Sequence, residues 1–203
     1  MVADGEYLEQ IFPVYLTDAS KAKLAECLRD RAENHDYHAS GWDGPDQPLQ
    51  GDGWQPLTIF DFVSAERRLV PGIVMSNSCD IDGSNESMRP RNVLFAPLVR
   101  LDTYEEILRT NGIEADRVEQ HLQSVRRQEK TEIFYVPAGR EIPECLVMLD
   151  DIHSQPLPSF LEGTQGIRRL FRFNNFGFYM FLMKLSIHFT RFGERIDRDA
   201  SRP

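Results

Sequence analysis

The chain has 203 residues, 41% hydrophobic and 27% charged, and its 32 acidic against 23 basic side chains leave a net charge of −9. That apolar share supports a packed core and excludes a disordered chain. The acidic balance excludes a nonspecific nucleic-acid coat, which needs a basic surface, but leaves room for a local basic groove.

Residues 1–34 read as an N-terminal appendage. Tyr7 to Leu16 is apolar with Pro13 inside it, which predicts an extended edge piece. Ala22, Leu24, Ala25, Cys27 and Leu28 then predict a helix from Ala19 to Ala32. Residues 35–56 are rich in Gly, Asp and Pro and read as one long loop. It carries Trp42 and Trp54, and a loop of that length is expected to be functional or mobile.

Residues 57–173 form the main body. Short strands are predicted at 57–63, 72–76, 92–99, 131–136, 145–149 and 168–173, where β-branched and aromatic residues concentrate. Between them, 103–130 is a polar helical insertion divided at Gly112, with Ile113, Val118, Leu122 and Val125 on one face. Residues 174–203 are a C-terminal helix and polar tail. Asn174 or Asn175 caps that helix, and Gly177 weakens its interior. The expected fold is α+β: a small, strongly bent β-sheet or SH3-like barrel with a helical insertion and helices at both ends.

The stretch most suggestive of chemistry is Ser76-Asn-Ser-Cys-Asp80, where a buried strand runs into a polar loop. A strand end fixes side chains while the loop exposes them. Cys79 is a nucleophile only with a positive neighbour or a histidine base, and Asp80 beside it opposes ionisation. The plainer reading is a small buried cysteine with Asp80 capping a turn. Asp80, Asp82 and Glu86 lack the spacing of a calcium loop, and the three cysteines lack zinc spacing. No metal and no cofactor is expected. Asp150, Asp151 and His153 make a second acidic cluster, more readily a turn. Arginines at 67–68, 89, 91, 100, 126–127 and 168–169 would make a phosphate groove only if the fold gathered them.

Arg67-Arg-Leu-Val-Pro-Gly-Ile-Val-Met-Ser-Asn77, followed by Asn92-Val-Leu-Phe-Ala-Pro-Leu-Val99, resembles the PemK/MazF-type toxin family over about 35 residues. The resemblance implies an SH3-like barrel, commonly dimeric, whose active members cut single-stranded RNA. It would make Arg68 the phosphate-contacting catalytic residue, with Ser78, Cys79 and Asp80 at the pocket. The family's catalytic hydroxyl falls at Val99, which has none, so endoribonuclease-like activity would need Ser76, Ser78 or Cys79 in its place.

Two functions are expected from these readings. One is a toxin- or defence-associated protein acting on, or binding, RNA or another phosphate-containing ligand. The other is a non-enzymatic binding or scaffold subunit. It would meet a protein partner or a second copy of itself through Trp42, Trp54, Phe189 and Phe192. The three dispersed cysteines and the lack of a long apolar run lead us to expect a cytoplasmic protein without a membrane partner.

Overall fold

In the computed structural model, the residues described are 36–42, 47–82, 90–158 and 166–190. The appendage helix, Cys27, Arg89 and Phe192 lie outside them. Among the described residues the fold is α+β, with seven strands in an antiparallel sheet that does not close.

β1 (Gly53–Phe60) and β2 (Arg67–Val74) form a hairpin, and β3 (Asn92–Arg100) pairs with β2 through Gly72↔Pro97 to Val74↔Phe95. Helices α1 (Leu101–Thr110) and α2 (Ala115–Arg126) follow. The chain then returns as β4 (Ile133–Val136), β5 (Cys145–Met148) and β6 (His153–Pro156). β7 (Arg168–Phe171) adds to the far edge at β1, and α3 (Asn175–Thr190) ends the described chain.

β3 organises the sheet. Its second half pairs with β5 and its first half with β6, both on the same side, while β2 lies on the other. The sheet therefore bends around β3. It curls far enough for the Thr58 N–H of β1 to donate to Oε1 of Gln155 on β6 at 3.0 Å.

Period-two alternation explains the continuous burial of the central strands. On β4, Phe134 and Val136 face one core with α3, while Ile133 and Tyr135 face α1 and α2. On β5, Cys145 and Val147 join the α3 side and Leu146 the insertion side. The concave face of the curl holds a third cluster around Trp54, Leu57, Val93 and Phe95. Strands covered on both faces read as unbroken apolar runs, which is why they were visible in the sequence.

The insertion is a helical pair that seats Val118, Leu122 and Val125 on the sheet. Arg126 fastens it through two bonds to Glu144, at 2.8 and 2.9 Å. Gly112, at φ 79, turns the chain between the helices, and Ile113 falls in that link, exposed, not on the packed face. β6 departs from expectation. Its His-Ser-Gln-Pro sequence, next to Asp150-Asp151 and Pro158, reads as a turn. It is a strand because it needs to bury only Gln155, and its Pro156 sits at the strand's end. β1 also begins at Gly53, inside the stretch read as a loop, and takes Trp54 into the core.

Candidate functional site

The end of β7 and the start of α3 are strapped by residues 36–39. His38 bridges Phe173, Ala39 N–H donates to the Arg172 carbonyl at 2.9 Å, and Asn174 N–H donates to the Tyr37 carbonyl at 2.8 Å. Asn174 is the N-cap of α3, its Oδ1 accepting the Gly177 N–H at 2.9 Å. This junction places Arg172 beside Asp52, one position before the start of β1.

Arg172 and Asp52 make a buried ion pair, their side chains 7% and 1% exposed. Nε and Nη2 of Arg172 donate to the two carboxylate oxygens at 2.8 and 2.5 Å. Nη2 also reaches the Gln47 carbonyl, and the Leu49 N–H completes the shell of Asp52 at 3.0 Å. Burial pushes the Asp52 carboxyl up, and Arg172 and the Leu49 N–H pull against that rise. The Nη1 of Arg172 is buried and has no hydrogen-bond partner. Above the guanidinium lies the Trp42 ring, 4.0 Å away at its centroid, the approach of a cation–π contact.

Around this pair opens a cavity of about 230 Å³. Trp42, Leu49, Gln50 and Ser78 line one part of it, and Asn174, Asn175 and Phe178 at the head of α3 line another. Gln50 is fixed by its Nε2 to the Met75 carbonyl and by its backbone N–H to Oγ of Ser78, both at 2.9 Å. Ser78, Trp42 and the α3 N-terminus thus share one pocket.

The remaining residues singled out from the sequence lie apart. Arg68 stands near the start of β2, 58% exposed and paired with Asp61 of the same hairpin. Ser78 follows the other end of that strand. Arg68 to Val74 alone is roughly 20 Å at ~3.3 Å per residue, so Arg68 and Ser78 do not share a site. Cys79 is exposed, not a buried strand-end cysteine. Among the described residues the turn there is capped by Asn77, whose Oδ1 accepts the Cys79 N–H. Asp80 is exposed and lends its carbonyl to Arg91. Val99 packs with the insertion cluster. Trp54 is buried and unavailable as a surface anchor, whereas Phe189 is exposed on α3.

No family model matches the chain, and no curated protein matches it. Its chemistry is therefore read from its own geometry. His153 is held by Asp151 at 2.9 Å and stacks on Phe95, a pairing of neighbours across β3 and β6. Among the described residues no group of three or more His, Cys, Asp and Glu is placed to hold a metal. Several arginines face separate acids, Arg100 on Asp102, Arg126 on Glu144 and Arg168 on Glu141, in place of one gathered groove.

Arg172 and Asp52 were missed from sequence because Gly-Asp-Gly reads as a turn and Arg172 follows two exposed or half-exposed arginines. Phe171-Arg-Phe173 gave no sign of it either, because on extended chain an arginine between two core-facing aromatics points to the opposite face, which is ordinarily solvent.

Proposed function

We propose that this chain is a PemK/MazF-like, toxin- or defence-associated protein that binds single-stranded RNA without cutting it. The carrying observation is the pocket in which Trp42 stacks over the buried Arg172, with Ser78, Gln50 and Asn175 on its walls. Single-stranded RNA is recognised by stacking splayed bases on aromatic or guanidinium planes and bonding their edges to short polar side chains. The curl that brings Gln155 of β6 to Thr58 of β1 supports an SH3-like reading of the sheet. Cutting is not part of the proposal: the hydroxyl position is Val99, packed under the insertion, and Arg68 is away from the pocket.

The test is fluorescence anisotropy of a labelled, unstructured RNA oligonucleotide with the full chain, followed by a gel for RNA integrity. Saturable binding with the RNA intact is expected. Absence of binding at low salt, or cleavage, overturns the proposal.

A second reading, a scaffold subunit that docks a protein partner, is favoured by the β1–β2 hairpin tip. Phe62 is 88% and Val63 99% exposed, with Phe60 and Leu69 beside them. Asp61 holds the turn through the Val63 and Ser64 N–H groups, so the aromatic tip is a fixed shape. Isolation of the chain in a defined complex that Phe62→Ser dissolves would favour this reading over the first.

A further inference from the structure

We infer that the pocket under Trp42 takes one unpaired RNA base bearing a ring carbonyl, uracil being the compact example, and takes it by the base and not by the phosphate. This rests on the RNA-binding reading and names what the same site recognises.

Arg172 lies at the centre of this pocket. Its side chain is more than nine-tenths buried and lines the cavity, yet Nη1 has no partner. A buried donor left unmade is costly, so the site favours a ligand that supplies an acceptor there. The acceptor need not be charged. The Arg172 charge is already matched by Asp52, which is itself buried against it. A phosphate drawn to Nη1 would also meet that carboxylate, whereas a neutral carbonyl meets only the donor.

The other walls agree. Gln50, Ser78 and Asn175 bring amide and hydroxyl groups, and Trp42 and Phe178 bring flat apolar faces. That mixture suits a planar heterocycle with polar edges. At about 230 Å³ the cavity is below the ~300 Å³ at which drug-sized sites begin, so it holds one base. Adenine has no ring carbonyl and meets Nη1 only through a ring nitrogen, and its two rings ask more of a cavity of about 230 Å³ than a pyrimidine does.

The chain has two tryptophans, and Trp54 is buried, so the emission change on binding belongs to Trp42. The 203-residue chain is titrated separately with uridine, adenosine, ribose 5-phosphate and an oligouridine RNA. The expected result is saturable change with uridine and the RNA, at least tenfold weaker change with adenosine, and none with ribose 5-phosphate. Asn175→Ala, at an exposed position on the pocket wall, weakens uridine several-fold. Arg172→Gln loses the ion pair, so circular dichroism first checks its fold; the folded variant loses the preference for uridine over adenosine, and if it does not fold, Asn175→Ala decides the matter. Equal response to adenosine, or saturation by ribose 5-phosphate, overturns the inference. RNA binding with no response to uridine removes the base pocket and leaves the RNA reading standing. Response to uridine without RNA binding removes the RNA reading, and with it the RNA part of this inference.

Discussion

Asp52 and Arg172, 120 residues apart in the chain, meet one step beyond the Gly53↔Phe171 pair that joins β1 to β7. The β1–β7 register therefore decides whether the pocket exists. Two bonds between the side chains, with the Leu49 N–H on Asp52 and the Gln47 carbonyl on Arg172, fix the pocket floor beneath the more exposed Trp42 and leave only Nη1 of Arg172 unpartnered.

Removal of one partner leaves the other charge buried and uncompensated, at about 3–5 kcal/mol. Arg172→Met and Asp52→Asn are each expected to lose stability on that order in urea unfolding. The double variant should recover at least half of the summed loss, since the introduced amide oxygen still accepts the Leu49 N–H and no buried charge remains. Additive losses in the cycle would show that the pair is not a unit.

Lys184 gives a pH signature. It is 5% exposed, its Nζ donates to the Gln128 carbonyl at 2.5 Å, and burial lowers its pKa from 10.5 to about 8. Below about pH 8 the folded state carries a buried charge. Above it the folded state releases a proton that the unfolded chain keeps until about 10.5, so stability rises with pH. The rise between pH 7 and 9 is expected to be about 1 kcal/mol. Cys145, pushed by burial from 9.0 up to about 11, acts in the opposite direction from about pH 9 upward, which closes the window. Denaturation of Lys184→Met at the same pH values should lack this rise.

Gly177→Ala sets helix propensity against packing. Propensity alone favours alanine by about 1 kcal/mol. A Cβ here, however, would lie 2.5 Å from the Tyr37 carbonyl oxygen, in the 36–39 segment strapped to the head of α3. The expected result is a net destabilisation of about 1–3 kcal/mol. A stabilised variant in thermal unfolding would mean that the strap yields.

Arg68→Ala separates the resemblance from the geometry. Arg68 is exposed and, among the described residues, pairs with Asp61 on its own hairpin, so its loss should leave the unfolding midpoint and RNA affinity unchanged. A catalytic arginine would show itself instead as growth arrest and RNA cleavage on expression of the wild type, lost in the variant.

RNA binding through one base and little backbone should depend weakly on salt. With about −0.7 per phosphate neutralised on a single strand, a slope near −1 in log affinity against log salt is expected. A slope steeper than about −3 would point to a basic track.

Much of the architecture was legible because burial leaves its mark on composition. β4 and β5, covered on both faces, are apolar runs, and Val118, Leu122 and Val125 keep helical spacing. Asn174 proved to be the α3 cap, and the contact of Gly177 with Tyr37 explains a glycine that propensity alone counts as a defect. β6 was illegible because an edge strand burying one glutamine carries no apolar pattern. The pocket was half legible. Ser78 and Trp42 stood out as a strand-end hydroxyl and a loop tryptophan, but for separate reasons, and nothing local linked them. Asp52 and Arg172, which join them, depend on a strand pairing across the whole body. Long-range pairing of that kind has no local sequence signal.

Ultraviolet cross-linking of a uridine-containing single-stranded RNA to the full chain, with the linked peptides mapped, shows where the RNA sits. Adducts are expected at Trp42 and in 172–178, lost on competition with uridine. Adducts confined to the 60–69 hairpin, or none at saturating RNA, would contradict that placement.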